Sequence, residues 1–305
     1  MSFLSFTKQP LTCHEQVDLL QRRGPIINNP EQAAFYLSTI SYYRLSAYFK
    51  PFEQNKDSHL FSGRTTFQDI VNLYQFERAL RLKVMDAIER IEVVLRAGLA
   101  QELSVRHGAW WYLDNSLFKS EWQKPLPNKK PSPQSIFESE LQLLIKQKKE
   151  EFIKHYYQKY HSPPYPPSWM ILECLSFDQC INLFRYLLNS TDKSAISKLF
   201  CLDPIILDSA FDCIRLVRNI CAHHAKLWDR CYTYVPKKMR ELQQAECPRG
   251  STKEQLALLD LMLKPLPEQN NWQQELYQLF EKYSAVPFQH MGFQVDWQND
   301  KFWQP

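Results

Sequence analysis

Arg218, Asn219, His223 and His224 fall within one short stretch, Arg-Asn-Ile-Cys-Ala-His-His. Their side-chain types suit phosphate chemistry. A guanidinium is always charged and offers paired donors to the nonbridging oxygens of a phosphate. Imidazole has an ordinary pKa near neutrality, so it can take a proton from a ribose 2′-hydroxyl or give one to a departing 5′-oxygen. RNA cleavage by 2′-hydroxyl attack needs both transfers and donors for the charge that builds on the phosphate. It calls for no metal and no cofactor. Asn219 can hold the phosphate or the imidazole by a hydrogen bond. A single motif supplies one such imidazole for two transfers, and no second Arg-x4-6-His occurs in the chain.

A helix must carry these residues. Asp203-Pro204 reads as an N-cap followed by proline at the first helical position. On an ideal helix of about 100° per residue, Leu216, Ile220, Cys213, Val217, Cys221 and Ile214 form one apolar arc. Asp212, Arg215, Arg218, Asn219 and His223 occupy the other, with Phe211 and Ala222 among them. Arg215, Asn219 and His223 form an i,i+4 row, while His224 leans into the apolar arc. Arg218 and His223 are the catalytic candidates, with Asn219, His224 and Arg215 in support. Two rival readings stand beside this one. Arg218 could pair with Asp212 or with a carboxylate of the long helix described next. Alternatively, Cys221, His223, His224 and Cys231 could hold zinc, although Cys221 and His223 face different ways and no Cys-x2-Cys pair assists.

The remaining elements are predicted mostly helical. Thr12 with Glu15 forms a capping box opening a helix to Arg23, and Gly24-Pro25 stops it. Pro30 suits the first turn of a second helix through Tyr48. Its end, Ser-Tyr-Tyr-Arg-Leu-Ser-Ala-Tyr, interleaves aromatics with a base and could stack on RNA or form a half-buried face. Residues 53–64 are polar loop. Thr66 and Asp69 are spaced as a capping box before a long helical pattern over 67–106, which Gly98 could bend or break. Glu77/Arg81, Asp86/Arg90 and Glu92/Arg96 sit at i,i+4 and suggest an exposed or partner-facing side. Glu89, Glu92 and Arg96 are candidates to lie beneath the site and orient it. Trp110-Trp-Tyr-Leu reads as a core plug. Residues 123–134, rich in proline and lysine, form an exposed loop, and a basic helix follows over 135–160. Lys146, Lys148, Lys149 and Lys154 on that helix are the candidates for RNA backbone contact. Residues 163–167 (PPYPP) form an extended connector. Further helices are expected at 168–188, 191–200, 251–263 and 271–283, followed by an aromatic end.

Six glycines in 305 residues are too few for many tight strand turns, and helix-favouring Leu, Glu, Gln, Lys and Arg abound. The fold class expected is all-α. The expected organisation is an N-terminal helical segment over 1–60, a main helical domain over 61–235, and a tail over 236–305 packing back on the body. Eight cysteines without a paired motif read as buried, reduced thiols. The net charge of +4 permits a polyanionic partner. No run of 18 apolar residues is present, so no membrane span is expected. The opening MSFLSFTK lacks a signal-peptide layout, which implies a cytoplasmic protein.

The Arg218 motif resembles the Arg-x4-6-His signature of HEPN-type ribonucleases. With its second histidine and the following Leu-Trp-x-Arg, it resembles the Abi_2 (abortive-infection, AbiD/AbiF-like) family. The Tyr-Tyr-Arg-Leu segment at 42–45, the runs at 73–81 and 88–96, and the aromatic C-terminus resemble the same family. The resemblance implies a HEPN-type helical bundle with extra helices at both ends, and an endoribonuclease of phage defence or a toxin–antitoxin pair. It also implies a homodimer in which two motifs share a composite site, an RNA substrate, and a small noncoding RNA or protein antitoxin. A noncatalytic RNA- or protein-binding module that kept the fold is the alternative.

Overall fold

Thirteen α-helices and short 3-10 turns make up this computed structural model over its described residues, 9–54, 59–266 and 271–303, with no β-strand among them. The fold is all-α. Residues 1–8, on which the absence of a signal peptide was argued, lie outside the described residues.

Local chemistry sets many of the starts. In α1 (Cys13–Arg23), Thr12 and Glu15 cap each other: Glu15 Oε2 accepts from Thr12 N at 2.7 Å and Thr12 Oγ1 from Glu15 N at 3.3 Å. Gly24, at φ +105°, ends it in the left-handed region that glycine adopts without cost. α2 (Pro30–Ile40) begins at Asn29, but does not run on to Tyr48 as expected. Ser41 takes φ +70° and reverses the chain, and α3 (Tyr42–Ser46) starts afresh under its hydroxyl. The three tyrosines therefore share no single stacking face. Tyr43 is exposed, Tyr48 is buried, and Tyr42 accepts a hydrogen bond from Arg23 at 2.6 Å.

α4 (Phe67–His107) is capped by Thr66 and Asp69, whose backbone amides each donate to the other's side chain, at 2.8 and 3.1 Å. It runs unbroken through Gly98. A Cβ there would stand 2.7 Å from Leu199 Cδ1 and 3.5 Å from Ile196 Cγ2, so glycine admits a close neighbour instead of making a kink. Glu77 and Arg81, expected on an exposed or partner-facing side, pair at 3.1 Å in the interior, with only 0% and 8% of their side chains exposed.

The chain forms two compact units, Met1–Leu82 with Gln274–His290, and Lys83–Gln273 with Met291–Pro305. In the first, Phe76 meets Phe280 and Phe288 edge-on, and those two stack at 4.2 Å.

In the second unit, Trp111 and Tyr112 are buried as a plug should be, while Trp110 and Leu113 remain exposed. The basic segment forms two helices, α5 (Pro133–Gln147) and α6 (Glu151–Lys159), where one was expected. Lys148 breaks it at φ +44°, ψ +48°. The proline connector is extended, and aromatic side chains hold its carbonyls: Tyr156 donates to Pro163, Tyr157 to Pro164, Trp110 to Tyr165 and Tyr112 to Pro166. The helix expected over 168–188 also divides, into α7 (Ser168–Cys174) and α8 (Phe177–Tyr186), because Ser176 is extended and caps Gln179. α9 (Ser190–Lys198) and α10 (Pro204–Ala222) follow, then α11 (Arg240–Gln244), α12 (Thr252–Leu263) and α13 (Trp272–Lys282). α12 is buried almost all round. Its Lys253 meets Asp300 at 2.7 Å with both side chains sealed from solvent, which ties the aromatic C-terminal segment to this helix.

Among the described residues no helix is long and apolar enough to cross a membrane. The thiols are only partly as expected. Cys180, Cys213 and Cys221 are buried, whereas Cys201 and Cys231 are exposed and lie outside the helices.

Candidate functional site

α10 positions the motif. Asp203 Oδ1 caps Ile205 N at 2.8 Å and Pro204 opens the first turn. The helix packs against α8, α9 and α12. Being held on several sides widens its apolar arc. Phe211, placed by the ideal wheel among the polar residues, is buried against Phe177, Phe184 and Phe200. Leu216, assigned to the apolar arc, is only half-buried. Burial pushes the Cys213 thiol up to about 12, so it stays protonated and behaves as a small apolar side chain.

On the polar side, most of the charges are committed to one another. Arg185 on α8 reaches Asp208 and Asp212 on α10, both at 2.8 Å. Burial opposes its charge, yet the two aspartates more than offset this and its pKa is raised. Arg215 pairs with Asp212 at 3.1 Å and stands 3.9 Å from Asp178. Arg218 differs from both. It is half-buried, no carboxylate among the described residues pairs with it, and its guanidinium reaches only Asn219 Oδ1, at a marginal 3.5 Å. The rival ion pair with Asp212 is not made, since Arg185 and Arg215 already hold that carboxylate.

The two histidines lie beyond the helix, contrary to the ideal wheel. Ala222 is the last helical residue and His223 is the C-cap, at φ −87°, ψ 10°. His224 takes φ +54°. Its amide donates to Cys221 O at 3.0 Å, and Ala225 N donates to Ile220 O at 2.9 Å. These two bonds close the helix in a Schellman turn, with His224 at the left-handed position usually held by glycine. His224 therefore does not lean into the apolar arc; both imidazoles are exposed. Immediately after the turn, Leu227 and Trp228 are buried and anchor the chain. Thr252 on α12 donates to Leu227 O at 2.9 Å, and Arg230 Nε to Lys226 O at 2.7 Å. The Leu-Trp-x-Arg string thus anchors the turn that presents His223.

The candidates on α4 meet other partners. Arg96 bonds Glu92 and the Leu172 carbonyl at the end of α7, and Glu89 is exposed. Those recorded partners lie on α4 and α7, not on α10. The four lysines are dispersed by the break between α5 and α6. Lys146 is in the last turn of α5, Lys148 is left-handed and lies over Tyr157, Lys149 precedes α6, and Lys154 pairs with Glu151 at 3.1 Å. Among the described residues no three His, Cys, Asp or Glu side chains converge to hold a metal ion. Sequence reasoning missed the roles of Asp178, Arg185 and Asp208. Their only signal was the i,i+4 pair Asp208/Asp212, which names no partner on another helix.

Residues 35–229 match the model of a family described as Abi-like protein, a segment reaching from α2 to the anchored turn behind α10. No curated protein and no solved structure matches the chain.

Proposed function

Because the chain belongs to the Abi-like protein family, we propose that it is a metal-independent endoribonuclease of an abortive-infection or toxin–antitoxin defence against phage. Arg218 and His223 are its catalytic residues. The 2′-oxygen attacks the adjacent phosphorus and loses its proton to an imidazole. The bond from phosphorus to the 5′-oxygen then breaks, and that oxygen takes a proton from a second imidazole. The products are a 2′,3′-cyclic phosphate and a free 5′-hydroxyl. Arg218 donates to the nonbridging oxygens as charge builds there. One chain supplies one motif, so the second imidazole comes from a second copy in a homodimer with a composite site. Asn219 orients phosphate or imidazole, and His224 shapes the turn. Arg215, through its aspartates, holds the polar side of α10. An antitoxin, either a small noncoding RNA or a protein, covers the site until infection.

The observation that carries this reading is the unclaimed charge of Arg218. Its neighbours Arg185 and Arg215 are neutralised by aspartates, while Arg218, also half-buried, meets no carboxylate among the described residues. A half-buried guanidinium that meets no carboxylate keeps its paired donors available to an anionic ligand. The C-terminal end of a helix carries partial negative charge, so a phosphate there needs such a cation.

The test incubates total RNA with wild-type, Arg218→Ala and His223→Ala proteins, with and without chelator. Cleavage by the wild type should persist in chelator, and each variant should lose about 100-fold or more. Wild-type cleavage by both variants overturns the assignment. Binding of RNA by the wild type without cleavage favours the noncatalytic module.

A further inference from the structure

We infer that α6 and the Lys148 turn form a stacking platform for single-stranded RNA, an inference that rests on RNA being the substrate. α6 buries Ile153 and Tyr156 and turns Lys154, His155, Lys159 and Tyr160 to solvent, with Tyr157 half-buried. Two hydroxyls anchor the rings on the proline connector: Tyr156 donates to Pro163 O at 2.7 Å and Tyr157 to Pro164 O at 3.0 Å. The stiff proline connector therefore sets the orientation of Tyr157 before any ligand arrives.

Lysines lie over the tyrosine faces. Lys148 Nζ is 4.3 Å from the centre of the Tyr157 ring, and Lys159 Nζ is 5.5 Å from that of Tyr160. Lys148 sits in the left-handed region, where glycine would be unstrained. Keeping a lysine there gives this turn an ammonium above an oriented aromatic face. Over residues 146–161, five lysines face two carboxylates, Glu150 and Glu151. The Glu151–Lys154 pair is exposed, and such pairs are readily exchanged for a phosphate.

Alternating ring faces and ammonium groups match the alternating bases and phosphates of a single strand. As a base settles on Tyr157 or Tyr160, the lysine above it moves aside to the neighbouring phosphate. A duplex keeps its bases stacked on one another and cannot use the rings. Next to the platform, a cavity of about 300 Å³ is lined by Glu140, Glu150 and Glu173 beside Lys149. Its carboxylates repel a phosphate chain and mark one border of the binding track.

The experiment measures fluorescence anisotropy of a labelled oligouridylate of about 12 nucleotides with the full chain carrying Arg218→Ala, so that binding is read apart from cleavage. Adding Tyr157→Ala should weaken binding about tenfold, within the range of one lost stacking contact. Adding Lys148→Gly should make the plot of log affinity against log salt shallower by about 0.7, one phosphate contact on a single strand. Its thermal midpoint should not fall, because glycine relieves the strained turn; this keeps the test valid if Tyr157→Ala fails to fold. Undiminished oligouridylate binding by Lys148→Gly overturns the platform, and so does an equal loss on duplex RNA. Either outcome leaves the cleavage tests of Arg218 and His223 untouched, and wild-type cleavage by those variants leaves the platform standing.

Discussion

At the scale of single residues, the motif divides its labour by backbone position. Arg218 is still inside α10, His223 closes it, and His224 lies beyond the end in a left-handed conformation. The helical wheel separates the two histidines by face, whereas the fold separates them by backbone: His223 is the C-cap and His224 the left-handed residue after it. His224 stands where glycine is cheapest, and a residue with a Cβ pays for that conformation by roughly 1 kcal/mol. With the imidazole removed in both, His224→Gly should be more stable than His224→Ala by up to about 1 kcal/mol, read from urea denaturation. Equal stability of the two variants would show that the left-handed backbone carries no such cost.

At the scale of elements, the helices around α10 are held by charges that are only partly solvated. Lys193 on α9 donates to the Arg185 carbonyl at the end of α8. Burial, with the nearby Lys119 adding repulsion, pushes its pKa down to about 8 from an ordinary 10.5. A lysine whose folded value is depressed binds its proton more tightly in the unfolded chain. Between those two values the unfolded state holds more protons, so stability rises with pH. Tyr48, whose hydroxyl burial pushes up to about 12, acts in the opposite sense above about pH 10 and closes the window. Thermal unfolding at about pH 7.5 and about pH 9.5 should show the wild type gaining stability relative to Lys193→Met. Parallel behaviour of the two proteins would remove Lys193 as the source.

At the scale of the molecule, a net charge of +4 permits a polyanionic partner, and under the proposed mechanism one motif per chain calls for two chains. The cleaving species should sediment as a dimer. Mixing an inactive Arg218→Ala chain in excess with wild type should lower activity per wild-type chain, because mixed dimers hold an incomplete site. Cleavage confined to a monomeric fraction would refute the shared site.

The sequence by itself determined what acts over a few residues. The capping pairs at Thr12 and Thr66, the Asp203-Pro204 start of α10, the long 67–106 pattern and the spacing of Arg218 to His223 are all local. A cap is satisfied by amides two or three positions away, so its chemistry is legible in the string. The membership of the chain in the Abi-like family was legible in the same way, from strings around the motif. Only the tertiary structure decided the rest. Ser41 and Lys148 interrupt helices at positive φ with no glycine or proline to announce it, and Ser176 opens a new helix as its N-cap. Serine occurs in helix interiors as well as at caps, so the string alone does not say which. Phe211 is buried because three helices surround α10, a fact no helical wheel contains. Arg218 stands unclaimed because Arg185, from another helix, joins Arg215 on Asp212. Ion pairing is settled by whichever charge lies nearest in space, and that distance exists only once the chain is folded.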